Sequence, residues 1–337
     1  IVVNVSPQTG IIPIDGLMKE MDVQVELINN GDAASGTLNL QLPQGWSAST
    51  PTIPFQFSRG GEKANFPFTI QVPRLNEKTY TLQAVAIVNG VSYTQGYSLI
   101  SHRDLDQTLM YYPAVSKINA IDVKILPGLQ IGYVMGVGDK VPDAIRQLGA
   151  SVELLTSEYL SKGNLDKFNA IVIGTRAYAV RQDLGTYNER LLQYAKNGGH
   201  LLLLFQTPEF LPGAMAAYPA QLPANAEEVS EENSPVKILN EGHRVLNFPN
   251  KISLTDFDHW VEQRGSKFFS QWDAAYVPII ETNDVGQAPQ KGGWLMAPYG
   301  KGHYTYFAYS FHRQLPYGIK GAYRLLANLL SYKKESE

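Results

Sequence analysis

The sequence contains no cysteine among its 337 residues. This absence excludes disulfide bonds, thiolate metal sites and a cysteine nucleophile, whatever the fold. Long hydrophobic runs are missing as well, since no apolar stretch approaches the roughly 20 residues of a membrane-spanning helix. The sequence therefore predicts a chain without a membrane span.

An excess of charge of either sign is also missing. The chain carries 28 Lys and Arg against 31 Asp and Glu, for a formal net charge of −3. The chain therefore lacks the excess of positive charge that is typical of nucleic-acid-binding proteins, and it lacks a polybasic segment that would bind anionic lipid. The sequence starts at Ile1 without a signal peptide, which predicts a piece taken from a longer protein.

Residues 1–116 carry the alternating pattern of half-buried β-strands. Residues 21–28 and 37–42 alternate apolar and polar side chains with period two, and turns rich in Gly, Asn and Pro separate such segments. Short strands at this spacing predict an immunoglobulin-like β-sandwich. Residues 117–128 are then predicted to be a linker.

Residues 129–335 change to alternating strands and helices. Apolar strands are predicted at 170–174 and 200–205, with a helix between them that starts at Thr186 as its N-cap. Repeated βα units predict a flavodoxin-like, doubly wound parallel sheet, so the whole chain is α/β plus all-β. An insertion at about 208–236 interrupts this order.

Polar side chains follow the predicted strands at their carboxyl ends, where open α/β sheets bind ligands. An arginine with amides, hydroxyls and aromatic rings suits a polar or anionic ligand such as a sugar or a carboxylate. An internal salt bridge that holds the loops together is the alternative role for Arg176. The candidate ligand-binding residues on these loops are Gly138, Asp139, Arg176, Tyr178, Gln206, Thr207, His312 and Arg313.

Aromatic residues are concentrated between Phe257 and Tyr317, where fourteen of 61 residues are aromatic, about twice the chain average of 11%. Aromatic faces stack on sugars, so Trp260 joins the candidate ligand-binding residues. Aromatic-rich β structure is also typical of a protein core, and the sequence leaves this alternative open.

The sequence predicts no catalytic residue and no metal ligand. Its six histidines form no His-x-x-x-His pair, and no Gly-x-Ser-x-Gly motif is present. The alternative is a stand-alone hydrolase around Arg176, Ser310 and His312, because Ser310 and His312 would point the same way in an extended segment.

Several runs in the second domain resemble a known family. The domain is similar to the class I glutamine amidotransferase-like fold, and more closely to the C-terminal region of bacterial LmbE-like (PIG-L family) deacetylase proteins. Residues 1–116 resemble the immunoglobulin-like module that precedes that region. The resemblance is carried by residues 131–136 with Gly138 and Asp139, and by residues 174–178, 194–199, 248–252, 260–265 and 309–324.

The resemblance implies a parent protein that removes an N-acetyl group from a GlcNAc-type sugar with a divalent metal, usually zinc. The family's metal-binding His-Pro-Asp-Asp motif belongs to an N-terminal domain and does not occur here, so zinc and catalysis are expected only on that domain. Where an amidotransferase would carry its cysteine elbow, the predicted fourth strand is followed by Phe205-Gln206-Thr207.

These points together predict a bacterial pseudoenzyme fragment without a cofactor of its own. Its expected partners are the deacetylase domain of the same protein and a glycan, and a purely structural spacer is a further alternative. The resemblance implies a periplasmic or extracellular location, while the absence of cysteine suits the cytoplasm equally.

Overall fold

The computed structural model describes residues 1–15 and 20–332. The chain divides into two compact units, Ile1–Asp122 and Val123–Glu337. The first unit is all-β in its described residues, and the second mixes strands and helices. The predicted end of the α/β domain at 335 lies outside the described residues. No helix in the described part of the chain is long and apolar enough to cross a membrane.

The first unit is sandwich-like, with a four-stranded sheet in the order β1-β3-β7-β5 and a second sheet in the order β2-β12-β8-β4-β6, with β9 paired to β8. Strands β10 and β11 form a separate two-stranded sheet. The strands are β1 (Val2–Ser6), β2 (Thr9–Pro13), β3 (Glu20–Ile28), β4 (Ala34–Gln41), β5 (Ser47–Ala48), β6 (Thr52–Phe57), β7 (Lys63–Gln71), β8 (Thr79–Val88), β9 (Val91–Tyr93), β10 (Gln95–His102), β11 (Leu105–Pro113) and β12 (Val115–Ile121).

The core of this unit is built from the alternating apolar positions of both main sheets. Val23, Val25 and Leu27 on β3 are buried, and they share one cluster with Leu82 on β8. This period-two burial is what the sequence pattern predicts for a strand with one face on a core. Trp46 is also in the core, packed at 5.2 Å between ring centroids against Tyr80.

The predicted linker begins too early. Residues 117–121 belong to β12, which pairs antiparallel with β8 and parallel with β2. Ile118 and Ala120 of this strand are buried in the sandwich core. The more polar residues that alternate with them, Lys117 and Asn119, lie on the outward face of this strand.

The second unit is built on a seven-stranded mixed sheet in the order β14-β13-β15-β16-β25-β24-β22, in which the first five strands are parallel. Its four parallel pairings confirm the predicted βα units. The strands of this unit are β13 (Gln130–Val134), β14 (Ser151–Leu154), β15 (Ala170–Ile173), β16 (His200–Leu204), β17 (Ala220–Gln221), β18 (Glu228–Val229), β19 (Val236–Ile238), β20 (Gly265–Ser266), β21 (Gln271–Trp272), β22 (Val277–Pro278), β23 (Ile280–Thr282), β24 (Trp294–Tyr299) and β25 (Gly302–Phe307).

The helices of this unit form two groups, since α1 contacts α7 and α2 contacts α4. The insertion is longer than predicted, because no further parallel strand enters the sheet between β16 and β25. The helices are α1 (Val141–Gln147), α2 (Ser157–Lys162), α3 (Ala177–Val180), α4 (Asp183–Lys196), α5 (Pro212–Met215), α6 (Phe311–Gln314) and α7 (Lys320–Leu330), with 3₁₀ turns at Leu165–Lys167, Arg244–Leu246, Leu254–Phe257 and Leu315–Tyr317.

The predicted start of α4 at Thr186 is wrong by one turn. The helix begins at Asp183, and Arg181 forms an ion pair with the Asp183 carboxylate at 2.6 Å. A carboxylate in the first turn is favourable because of the helix dipole. Gly185 masked this first turn in the sequence, because glycine is a weak helix former.

Candidate functional site

The carboxyl ends of the parallel strands meet at one edge of the sheet, which we call the C-edge. The strand order reverses between β13 and β15, because the chain moves from β13 to β14 on one side and then to β15 on the other. Open α/β sheets bind ligands beside such a reversal. The loops that follow β13, β15, β16 and β25 therefore define the candidate site.

The loop after β13 is tied to the loop after β15 by Asp139. One carboxylate oxygen accepts hydrogen bonds from the Tyr133 hydroxyl at 2.7 Å and the Val141 amide at 3.1 Å. The other oxygen accepts one from the Thr175 amide at 3.0 Å. Because its carboxylate accepts three hydrogen bonds from within the chain, Asp139 holds the two loops together.

Gly136 and Gly138 shape this loop in different ways. A Cβ on Gly136 would lie 1.9 Å from the Thr175 carbonyl oxygen, so only glycine allows the two loops to approach this closely. Gly138 has a φ of +90°, which glycine adopts without strain. The Gly-x-Gly sequence thus makes a tight turn, and it leaves Gly138 exposed at the C-edge.

The turn after β15 is a strained strand-to-helix elbow centred on Arg176. This residue has φ +52° and ψ +33° and is the N-cap of α3. A left-handed conformation costs a non-glycine residue roughly 1–2 kcal/mol. The Arg176 amide donates to the Phe205 carbonyl at 2.8 Å, which fixes the elbow against the next strand. This strained turn follows the third parallel strand in chain order, whereas the resemblance implies an elbow after the fourth strand, at Phe205-Gln206-Thr207.

The side chain of Arg176 is exposed, and within residues 1–15 and 20–332 it has no side-chain hydrogen bond and no ion pair. Glu209 lies within electrostatic range of it. The alternative of a loop-holding salt bridge is therefore not realised in a direct contact. An exposed guanidinium is a group that can bind anions and polar groups.

Gln206 and Tyr178 are committed to internal contacts. The buried Gln206 amide donates to the carbonyls of Gly174 and Leu204 at 2.8 and 2.9 Å, and its oxygen accepts from the Tyr178 amide at 3.2 Å. The Tyr178 hydroxyl donates to Asn188 at 2.6 Å, and burial raises the pKa of this phenol. Both side chains support the elbow instead of facing a ligand.

Thr207 closes the next turn, since its carbonyl accepts a hydrogen bond from the Phe210 amide at 2.9 Å. The residue is half-buried beside the elbow. It stays a candidate contact at the margin of the site.

His312 stacks on Phe205, with 5.9 Å between ring centroids and 25° between ring planes. Burial lowers the pKa of His312, and the negative charge of Asp139 opposes that shift. The stack on Phe205 brings together the loops after β16 and β25. Phe205 was not predicted as a site residue, although it directly follows a buried strand.

Ser310 and His312 do not share the extended segment on which their predicted pairing rests. Ser310 is the N-cap of α6, and His312 lies inside that short helix. Ser310 is buried. Arg313 forms an ion pair with Glu262, which partly neutralises the charge of the Arg313 guanidinium.

Trp260 offers no free ring face for a sugar. It is 2% exposed, its indole donates to the Asp256 carbonyl at 3.0 Å, and its ring packs edge-on against Tyr309. Most of the aromatic residues between Phe257 and Tyr317 are likewise buried, including Trp294, Tyr304 and Tyr306. The aromatic residues of this region therefore belong mainly to the hydrophobic core.

The buried side chain of Gln314 holds residues 261–263 against the end of α6. Its oxygen accepts from the Val261 amide at 2.8 Å, and its amide donates to the carbonyls of Val261 and Gln263 at 2.9 and 3.2 Å. Nothing in the sequence pattern distinguished this glutamine from a surface residue. Groups of three or more His, Asp or Glu suited to a metal ion are not found among the described residues.

Comparisons with known proteins give no family for this chain. No protein-family model matches it, and no curated protein matches it significantly. Among solved structures, the cytoplasmic protein STM1381 from Salmonella typhimurium LT2 aligns with a TM-score of 0.39 and 13% identity, over 71% of this chain and 96% of that one.

Two glycosidases align in part. The exo-β-1,4-mannosidase Op5Man5 from Opitutaceae bacterium strain TAV5 gives a TM-score of 0.39 and 11% identity, over 63% of this chain and 37% of that one. A β-galactosidase from Rahnella sp. R3 gives 0.36 and 14%, over 59% and 31%. These low scores decide neither the fold nor the function.

Proposed function

We propose that this chain is the non-catalytic accessory region of an LmbE-like (PIG-L family) deacetylase-type protein, and that its C-edge binds a polar or anionic glycan. In this proposal the first unit is an immunoglobulin-like module and the second an amidotransferase-like domain without a nucleophile. The deacetylase domain of the parent protein is the expected partner, and zinc chemistry belongs to that domain.

Arg176 is the observation that carries the binding proposal. It is an exposed cation without a side-chain hydrogen bond or ion pair among the described residues, held in a strained conformation beside the strand-order reversal. Strained residues concentrate at functional sites, because surrounding structure must maintain them. The stacked His312 and Phe205 rings lie on neighbouring loops and supply an apolar surface and a polar ring edge.

The runs that carry the family resemblance contact one another in the folded domain. Residues 131–139 and 174–178 are joined through Asp139 and Thr175. Residues 260–265 and 309–324 are joined through Gln314. Runs that are distant in sequence therefore meet in pairs along one edge of the sheet.

Binding of defined oligosaccharides tests this proposal. The purified chain is titrated calorimetrically with neutral GlcNAc oligomers and with oligomers that contain uronic acid. We expect Arg176→Ala to weaken binding at least tenfold, since a charge-assisted hydrogen bond contributes about 1.5–3 kcal/mol. Arg146→Ala is the control, because Arg146 is an exposed arginine on α1 with its own partner, Asp143.

Equal binding by the wild type and Arg176→Ala would move the site away from the elbow. No binding of either oligomer class would favour the spacer. Release of acetate from GlcNAc oligomers by the purified chain, abolished in His312→Gln, would instead support the stand-alone hydrolase.

A further inference from the structure

Arg264 is a buried cation that no carboxylate contacts within residues 1–15 and 20–332. The residue is 5% exposed, and its Nη1 donates a hydrogen bond to the Phe257 carbonyl at 2.7 Å. Its Nε is enclosed by protein and has no hydrogen-bond partner in the described chain. Burial lowers the pKa of this guanidinium, yet an arginine stays protonated at neutral pH. The buried charge therefore lacks the counter-ion that such a group needs.

The acidic side chains of the preceding segment, residues 256–262, do not supply this counter-ion. Asp258 is exposed and interacts with Arg264 only through space, without an ion pair between the two side chains. The other two carboxylates already form ion pairs, Asp256 with Arg324 at 2.8 Å and Glu262 with Arg313.

The hydroxyl of Tyr309 is a second buried donor beside Arg264. The Ser310 amide donates to the Arg264 carbonyl at 2.8 Å, and Gly265 forms an antiparallel bridge with Tyr309, so the two segments run side by side. Tyr309 is 1% exposed, and its hydroxyl has no hydrogen-bond partner in the part of the chain that the structure describes. Burial raises the pKa of this phenol against the opposing effect of the Arg264 charge, so the hydroxyl keeps its proton and can donate it.

The segment that leads to Arg264 has a strained backbone. His259 and Glu262 both have a φ of +61°, a left-handed conformation that is unfavourable for residues other than glycine. Gln314 holds this segment from the other side, because its side-chain oxygen accepts from the Val261 amide at 2.8 Å. Strain of this kind concentrates at binding sites, where the surrounding structure maintains it.

We propose that Arg264 and Tyr309 form a buried oxyanion site whose ligand is a single carboxylate group. The donors of a guanidinium form a fork that matches the two oxygens of a carboxylate, and Nε is the unpartnered arm of that fork. The Tyr309 hydroxyl adds a neutral donor. The nearby Asp258 carboxylate disfavours a doubly charged phosphate, so the site selects a monoanion. Because Nε and the hydroxyl are enclosed, the ligand enters when the exposed turn at residues 258–259 moves aside.

Nuclear magnetic resonance titration with ¹³C-labelled acetate tests the site directly. We expect saturable binding that is at least about tenfold weaker in Arg264→Met and about threefold weaker in Tyr309→Phe, because these variants remove a charged and a neutral donor. Arg176→Ala should bind acetate like the wild type, since the proposal does not rest on oligosaccharide binding at the C-edge. No saturable binding to the wild type, or equal binding by Arg264→Met, would overturn the proposal.

Glucuronate presents the same carboxylate on a sugar and distinguishes the two sources of such a ligand. Glucuronate binding that is lost in Arg264→Met and kept in Arg176→Ala would assign an acidic sugar to this site. Binding of acetate alone would assign a small organic acid.

Thermal unfolding of Arg264→Met separates ligand binding from a structural role. Without carboxylate, the variant should melt at the same temperature as the wild type or higher, because methionine replaces an unpaired buried charge with an apolar chain. Acetate at about ten times its dissociation constant should raise the melting temperature of the wild type by about 3–6 °C and leave that of the variant unchanged. A variant that is destabilised equally with and without acetate would assign Arg264 to holding the Phe257 carbonyl, and would contradict the proposal.

Asp258→Asn distinguishes an external carboxylate from an internal one. The proposal expects this variant to bind acetate at least as tightly as the wild type, since one negative charge is removed near the site. Acetate binding by Asp258→Asn and not by the wild type would instead identify the Asp258 side chain as the counter-ion of Arg264, and no external ligand would be needed.

Discussion

At the scale of single residues, the candidate site combines one free group with several committed ones. Three side chains form their hydrogen bonds within the chain and so stabilise the elbow: those of Asp139, Gln206 and Tyr178. Arg176 is the exception, because it is strained and exposed together. Such a division is expected where a stable scaffold presents one binding group.

Arg176→Gly separates binding from stability. Glycine removes the left-handed strain of roughly 1–2 kcal/mol, and its greater freedom in the unfolded chain costs roughly 0.5–1 kcal/mol. We therefore expect a free energy of unfolding equal to or up to about 1.5 kcal/mol above that of the wild type, together with lost oligosaccharide binding. Urea denaturation and calorimetric titration measure the two effects.

Arg176→Ala is the matched variant, because alanine keeps the strain and removes the same guanidinium. It should lose binding without gaining stability. If the Arg176→Gly and Arg176→Ala variants have equal free energies of unfolding, the left-handed backbone at position 176 does not strain a non-glycine residue.

At the scale of elements, the C-edge depends on close approach between the loops after β13 and β15. Gly136→Ala would place a Cβ 1.9 Å from a backbone oxygen that cannot move alone. We expect a loss of about 2–3 kcal/mol in unfolding free energy, the range of a severe single substitution, and weaker oligosaccharide binding because Arg176 shifts with its loop.

Gly185→Ala is the control for this glycine. Gly185 lies within α4, and no neighbouring atom lies within 4 Å of the position that an alanine Cβ would take there. Alanine should raise stability by up to about 1 kcal/mol, since it is the better helix former. A Gly136→Ala variant as stable as Gly185→Ala would show that the two loops separate easily.

Elements with strong periodicity could be predicted from sequence. Pro142 and Gly149 bracket α1 as expected, and the buried strands β15 and β16 lie where their apolar runs indicate. The failures share a cause in tertiary structure. The linker was predicted over residues that belong to β12. The helix α4 was predicted one turn too late, because Gly185 is a weak helix former.

The candidate site was predictable in its location but not in its roles. Strand ends placed Arg176 and His312 at one edge, because parallel strands share their direction. The left-handed backbone of Arg176 is held by the Phe205 carbonyl, and the ring of Trp260 packs against Tyr309, so both depend on residues far along the chain. No local pattern carries that information.

At the scale of the whole molecule, acid sensitivity should follow from buried histidines. His200 is 2% exposed, and its ring nitrogen Nε2 lies 2.8 Å from the Thr305 hydroxyl. Burial, with a smaller contribution from His303, lowers its pKa to about 3 from the ordinary value of 6.5. Burial also lowers the pKa values of His243 and His312. In each case the folded state favours the neutral ring.

The sign of the effect follows from linkage. A folded-state pKa below the unfolded value gives stability that is complete above about pH 6.5 and falls as the pH drops towards the folded value, by about 1.4 kcal/mol per pH unit for each such group. From about pH 7 to about pH 5, His200 alone should lower the free energy of unfolding by about 2 kcal/mol. The sequence pI of about 6.1 lies inside this interval, so net charge stays small and global repulsion contributes little.

Urea denaturation at several pH values, for the wild type and His200→Gln, checks this expectation. The variant removes one titrating group and keeps a side chain able to hydrogen bond with Thr305. It should be less stable than the wild type at neutral pH, and its loss between about pH 7 and about pH 5 should be smaller by about 2 kcal/mol. Parallel losses in the two proteins would assign the acid sensitivity to groups other than His200, because only a histidine protonated on unfolding can produce the difference.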